Sequence, residues 1–286
     1  MSEFVVSTLD GIKQRLGCAF FHSWCYCVPE FVEKKDFVFS PQALSAGDLL
    51  WKDGKRGVRK IEIPEQYGGG TVVYKPVYRK NPFRCFMRLS PTAKDAVNLL
   101  MLQQLGIDTI KVLCTGEDRA FFALKRGYII TEFAEGFQDG CCFAKDPLLP
   151  GREEFIECAI DLIAKLHSLG LYHGGFKMYN LLWQKKSAVA PMHIKMLDVP
   201  TMRLFTDRKM DEMVEDVHNI LHCFLPLEEM PKYVTEYLKK RGNQLQCSTE
   251  RFMQEIEQYD QKRNEILKKK HSGIRKQWRE IRKKLE

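Results

Sequence analysis

The residues best suited to chemistry in this 286-residue chain fall in one short run and three outlying positions. The run is Leu166-His167-Ser168-Leu169-Gly170-Leu171-Tyr172-His173-Gly174-Gly175-Phe176-Lys177-Met178-Tyr179-Asn180-Leu181-Leu182. It joins the end of an apolar-periodic segment to a tight bend that carries a histidine, two glycines, a lysine and an amide. Asp198 follows eighteen residues after Asn180, directly behind Met196-Leu197. Upstream, Lys75 sits inside the β-branched stretch Thr71-Val72-Val73-Tyr74-Lys75-Pro76-Val77, and Asp95 interrupts an otherwise apolar helical stripe. Taken singly, each is ordinary: a strand lysine usually faces solvent, an acid near a helix start favours the dipole, and a loop asparagine caps or turns. Taken together, the carboxylate and amide offer hard oxygen donors for a divalent cation, and the lysines offer charge for phosphate.

The elements that must position these groups follow from period and punctuation. Leu49-Leu50-Trp51 and Val58 to Ile63 form a predicted hairpin about the turn Lys52-Asp53-Gly54-Lys55-Arg56-Gly57. Pro64 ends the second strand, Gly68-Gly69-Gly70 supplies another turn, and Thr71 to Val77 is the third strand. Ser90 as N-cap and Pro91 at the first helical position open a helix that should run to Leu105 and stop at Gly106. Positions 95, 99, 102 and 105 share one face of it, and all but Asp95 are leucine. Thr109 to Thr115 reads as a strand, Gly116-Glu117-Asp118 as a turn, and Tyr128 to Phe133 as the next strand.

After Gly136 the pattern turns helical. Arg152 to Leu169 places Ile156, Ile160, Ile163 and His167 on one face, with Gly170 as the stop. Further helices are expected over Asp211 to Phe224, over Pro231 to Arg241, and from Gln254 onward with a break near Ser272-Gly273. Strands first and helices after predict an α+β protein of two lobes. Residues 1–46 would be an N-terminal extension packed on the first lobe, 47–134 that lobe, 135–253 the second lobe, and 254–286 a basic helical tail.

Charge is concentrated in that tail: Gln261 to Glu286 holds eleven Lys or Arg against three Glu, the whole of the +8 net charge. Any electrostatic partner therefore meets the tail. Ile274, Trp278, Ile281 and Leu285 fall on one helical face among Arg275, Lys276, Arg279, Arg282, Lys283 and Lys284. That pattern suits an anionic membrane surface with tryptophan at the interface, or a helix whose apolar face packs on the second lobe. No nucleic-acid motif accompanies the charge.

Asp10, Lys13 and Arg15 interrupt the first twenty residues, and no window approaches eighteen apolar residues. The expected location is the cytoplasm, peripheral at the inner membrane if the tail meets lipid instead of packing on the second lobe. The ten cysteines include no CxxC pair, which favours reduced thiols. His218 and His222, one turn apart and followed by Cys223, could flank a metal, but local spacing supplies no third ligand.

The run from Leu166 to Leu182 resembles the catalytic loop of protein-kinase-like enzymes, whose pattern is His-x-Asp-x-Lys-x-x-Asn after a helix ending Leu-His-x-x-Gly. Met196-Leu197-Asp198-Val199 matches the metal-binding strand end of that fold. The resemblance implies a bilobal fold in which Asp198 and Asn180 hold magnesium and Lys177 reaches the transferring phosphoryl group. Lys75 would grip the α and β phosphates of ATP, and Asp95 would pair with Lys75. His173 would belong to the catalytic bend, and the hairpin glycines Gly54 and Gly57 would approach the phosphates. Over residues 47–224 the finer features resemble the lipopolysaccharide core kinases, which phosphorylate Kdo or heptose sugars. Asn98 to Ile107 is similar to that family's first-lobe helix, with Asp95 where its Glu stands. Ile130-Thr131-Glu132 is similar to its hinge, so Glu132, Phe133 and Ala134 would meet adenine. Glu215-Asp216-Val217 is similar to a helix whose Asp braces the catalytic loop. Pro200 and Thr201 replace the acidic and basic pair usual after the metal-binding Asp.

One position departs from the family. Gly175 stands where the Asp that accepts the substrate proton is expected, and Gly174, Phe176 and Met178 cannot replace it. Three readings follow: a slow ATP- and magnesium-dependent kinase acting on a lipid-linked sugar or lipopolysaccharide core acceptor; a nucleotide-binding pseudokinase at the membrane surface; and an adaptor built on the same scaffold.

Overall fold

The computed structural model describes residues 4–6, 23–53, 56–78, 85, 88–120, 123–187, 189–242 and 246–283; within these, the side chains of 4–6, 51–56 and 269–283 are not described. Gly54 and the tail positions 274, 278, 281 and 285 thus lie outside the described residues or side chains. In chain order the first elements are β1 (Phe4–Val6), β2 (Trp24–Cys27), α1 (Val32–Val38), α2 (Pro41–Ala46), β3 (Asp48–Asp53), β4 (Arg56–Glu62) and β5 (Thr71–Tyr78). There follow α3 (Pro91–Gln104), β6 (Val112–Ala120), β7 (Ala123–Glu132), β8 (Gln138–Asp139), α4 (Cys141–Lys145), α5 (Arg152–Ser168) and β9 (Leu171–Tyr172). The chain ends with β10 (Leu181–Gln184), β11 (His193–Met196), β12 (Arg203–Leu204), α6 (Lys209–Leu221), α7 (Met230–Arg241) and α8 (Thr249–Lys283). Two compact units result, residues 1–139 with 180–202, and residues 140–179 with 203–286.

The first unit is built on a seven-stranded sheet in the order β1-β2-β6-β7-β5-β4-β3. All its pairs are antiparallel except β1 with β2. Strand β5 alternates as the period of two requires: Val72 and Tyr74 are buried, while Val73 and Lys75 are half-buried. Helix α3 packs on β5, β6 and β7. Its N-cap is Ser90, whose Oγ accepts the Ala93 N–H at 3.1 Å, with Pro91 in the first turn. Leu99 and Leu102 are fully buried, but Leu105, at the C-cap, is 41 % exposed and leaves the stripe as the helix ends.

Gly116-Glu117-Asp118 does not form the expected turn; it lies inside β6, and the strands continue to the Ala120–Ala123 pair. Glu117 is buried and compensated: it takes Arg119 at 2.7 Å, Trp24 Nε1 at 3.0 Å and the Ser90 N–H at 2.5 Å. Gly116 is required by contact instead of by turning. A Cβ there would fall on the Tyr128 hydroxyl and within 2.6 Å of the Trp24 carbonyl oxygen.

The second unit is helical. Phe155, Ile156, Ala159, Ile160 and Ile163 of α5 are buried, with α5 packed on α6 and α7. Gly170 follows α5 at φ 76 and ends it in the left-handed conformation that glycine adopts without strain. Helix α8 packs on α6 and α7 and continues through Ser272-Gly273, so the break expected there is absent.

Candidate active site

Four residues that carry the phosphoryl-transfer reading lie in the first unit. Lys75 projects from β5 and donates to the Asp95 carboxylate at 3.0 Å, while also forming an ion pair with Asp198. Asp95 enters from α3 with only 4 % of its side chain exposed. A carboxylate that far from water needs compensation, and it also accepts the Val199 N–H at 2.7 Å. Burial and the nearby Asp198 charge push the Asp95 carboxyl up, against the pull of Lys75 and the Val199 N–H. Burial likewise works against the Lys75 cation, but the two carboxylates outweigh it and hold its pKa above the ordinary lysine value.

Asp198 is the one non-glycine residue with positive φ among those described, at 59. An L-residue in that region costs on the order of 1–2 kcal/mol, and such strain concentrates at functional positions. Asn180 is buried at the start of β10, which pairs antiparallel with β11. Its carbonyl accepts the Leu197 N–H at 2.9 Å, so the Asn180 backbone abuts the residue preceding Asp198. An amide and a half-exposed carboxylate on adjoining strand ends supply hard oxygen donors, the donor type that magnesium takes.

Asn98 adds a residue whose importance the sequence left unnoticed. One turn along α3 from Asp95, its Nδ2 donates to the carbonyls of Val199 at 2.6 Å and Met202 at 3.2 Å. The segment after Asp198 is thereby fastened to α3 from both sides. Its i+3 relation to Asp95 was the available clue.

At the expected hinge, the N–H groups of Glu132 and Phe133 are bonded to the carbonyls of Lys111 at 2.9 Å and Thr71 at 3.2 Å. The Glu132 carboxylate takes Lys195 Nζ at 2.7 Å and the Lys111 N–H at 3.1 Å. The carbonyl of Ala134 accepts the Phe137 N–H at 3.1 Å. Gly57 lies in β4 opposite Lys52.

The remaining positions, His173, Gly175 and Lys177, lie in the second unit. Asp216 of α6 accepts the N–H of His173 at 2.7 Å and of Gly174 at 3.1 Å, which pins the bend from beneath. The same carboxylate meets His167 Nε2 at 3.3 Å, and His167 Nδ1 meets the Tyr237 hydroxyl at 2.7 Å. Burial holds the His167 pKa below the ordinary histidine value despite Asp216. The His173 ring is buried edge-on against Phe176, with centroids 4.7 Å apart. Lys177 is exposed, with Nζ 5.4 Å from the centre of the Tyr179 ring. Gly174 takes φ 71, a conformation suited to glycine.

The sequence matches the profile of the lipopolysaccharide kinase (Kdo/WaaP) family over residues 74–231, more than half of the chain. A solved structure described as WaaP in complex with acyl carrier protein is similar at 16% identity, over 75% of this chain and 91% of that chain, with a TM-score of 0.47. No curated protein matches the sequence.

Proposed function

Since the chain belongs to the lipopolysaccharide kinase (Kdo/WaaP) family, we propose that it works as a kinase-like fold that transfers the γ-phosphoryl group of ATP to a sugar hydroxyl of a lipid-linked glycan, slowly, with magnesium. The observation that carries this reading is Lys75, which reaches Asp95 and Asp198 at once. A strand lysine in contact with a buried helix carboxylate and a strand-end carboxylate is a charge poised for phosphates beside a cation site.

In this reading Asp198 and Asn180 would hold magnesium through oxygen, and the ion would supply positive charge against the phosphates. Lys75 exchanges its contact with Asp198 for the phosphates and keeps Asp95, which fixes its position. The Ala134 N–H serves adenine, because the amides of Glu132 and Phe133 are committed to Lys111 and Thr71. Lys177 counters charge on the transferring group. Gly57 lines the phosphates.

Gly175 sets the rate in this proposal. With no carboxylate there to take the hydroxyl proton, the loss is on the order of 10²- to 10⁴-fold, and a loose transition state tolerates it. The same glycine favours a second reading, a nucleotide-binding pseudokinase that docks at an anionic membrane surface through the basic tail.

Thermal unfolding with magnesium and ATP, together with transfer of labelled γ-phosphate to Kdo- or heptose-containing lipid acceptors, separates the readings. Stabilisation by magnesium-ATP with slow transfer supports the kinase, and stabilisation without transfer supports the pseudokinase. Absence of stabilisation overturns both.

A further inference from the structure

At the C-terminal end of α6, His218 and His222 stand four residues apart with their rings stacked, centroids 4.9 Å apart and planes inclined by 14°. The spacing offers two nitrogens on one helix face, and the third group comes from α8: Asp260 Oδ1 lies 3.0 Å from His218 Nε2. One ligand atom from each of the three residues lies within 4.8 Å of the others, and all three belong to the second unit. We propose that His218, His222 and Asp260 form a binding site for a divalent transition metal such as zinc, clipping α8 to α6.

Two imidazoles and one carboxylate are the ligand types zinc takes, and three protein ligands leave a fourth position for water. Donors about 2.0–2.1 Å from a tetrahedral ion sit roughly 3.4 Å apart. The His218–Asp260 pair, at 3.0 Å, need open by only a few tenths of an ångström to admit the ion, and the exposed ring of His222 can close the remaining gap by side-chain rotation. His218 is fully buried, and its Nδ1 finds no hydrogen-bond partner among the described residues. Burial also lowers its proton affinity, which leaves the ring in the neutral form a metal needs.

The surroundings supply an outer shell as well. Asn264 Nδ2 donates to Asp260 Oδ2 at 2.8 Å, which fixes the carboxylate and leaves Oδ1 toward His218. The Tyr259 ring stands edge-on to His218 at 5.0 Å. Arg263 adds a positive charge that disfavours a protonated His218 and opposes a bound cation, so Asp260 is needed to offset it. Cys223 does not complete the set, because its Sγ is turned to the Asn219 carbonyl at 3.1 Å.

The place of the cluster suggests its consequence. Two residues before His218 on α6 is Asp216, whose carboxylate pins the backbone of His173 and Gly174. A metal joining α6 to α8 would hold the helix that braces this bend and anchor the root of the basic tail. None of this depends on the phosphotransferase reading.

The test is metal binding by the full chain after chelator treatment, compared with His222→Ala and Asp260→Asn, with cobalt as the spectroscopic probe. His222 is exposed, so its replacement leaves the fold intact, and circular dichroism of each variant checks this. Expected are one zinc per chain at micromolar concentration, tetrahedral cobalt absorption in the visible, and a zinc-dependent rise in unfolding temperature. Binding should weaken at least tenfold in both variants. Equal affinity in wild type and His222→Ala, no binding at micromolar zinc, or a near-ultraviolet thiolate-to-cobalt band placing the ion on cysteines would each overturn the proposal.

Discussion

The Asp95 carboxylate accepts the Val199 N–H at 2.7 Å, so the helix that supports Lys75 is bonded directly to the residue after Asp198. An aspartate is one methylene shorter than the glutamate that the family resemblance implies at this position. It nonetheless reaches both Lys75 and the Val199 backbone, with Asn98 holding the carbonyls of Val199 and Met202 beside it. Asp95→Ala removes the acceptor for two donors at once. Breaking a fully buried ion pair costs about 3–5 kcal/mol, but Lys75 is 31 % exposed and keeps Asp198. The expected loss is therefore about 2 kcal/mol, read from the urea midpoint, with a smaller loss in Asp95→Asn, which preserves the Val199 bond.

Lys75→Ala is expected to separate binding from folding. Asp95 loses its countercharge but retains the Val199 N–H, and the substitution opens no core cavity because the lysine is half-buried. Stability should fall by about 1–2 kcal/mol, while the thermal shift caused by magnesium-ATP disappears. A shift that survives in this variant would place the nucleotide elsewhere.

Gly116 makes a stability prediction from sterics alone. Gly116→Ala drives a methyl into Tyr128 and the Trp24 backbone in the middle of the sheet, and overpacking of this kind costs about 1–3 kcal/mol. Gly106 is the control. It has φ 69 with nothing within 4 Å of an added Cβ, so Gly106→Ala should lose only the left-handed penalty of about 1–2 kcal/mol. Replacing both should give additive losses in denaturant titrations.

Much of this was legible where local rules govern. Ser90-Pro91, the Gly170 stop and the Lys75 strand follow from caps, breakers and period, and the loop from His173 to Asn180 followed from motif spacing. What escaped is non-local. Gly116-Glu117-Asp118 has turn composition, yet Trp24, Ser90 and Arg119 satisfy Glu117 inside a strand. Trp24–Cys27 pairs with β6 across about ninety residues of chain, so an isolated aromatic stretch gave no sign of its partner. Asp260 meets His218 only because α8 packs on α6.

Acid should weaken the second unit through its buried histidines. Burial lowers the pKa of His167 and of His218 below the ordinary value. Below about pH 6.5 the unfolded chain therefore binds more protons than the folded one. Their contribution is present above that pH and is lost as the pH falls toward the lower folded values, by at most about 1.4 kcal/mol per pH unit for each group. Urea titrations between pH 5 and 8 should show this slope, and His167→Gln should reduce it. A slope unchanged by that substitution would mean that His167 is already charged in the fold.

The last prediction concerns Gly175. Unlike Gly174, at φ 71, it is not among the residues with positive φ, so its backbone accepts an L side chain. Asp216 braces the two residues before it and does not depend on its side chain. Gly175→Asp should therefore fold with nearly unchanged stability and place a carboxylate two residues before Lys177. If proton removal limits transfer, the rate should rise by roughly 10²- to 10⁴-fold, with little change in the magnesium-ATP thermal shift. The gain should appear in kcat, because the added group acts on the acceptor hydroxyl in the transition state and leaves nucleotide binding alone. A variant no faster than a measurably active wild type would show that this chain transfers phosphate without a base at that position.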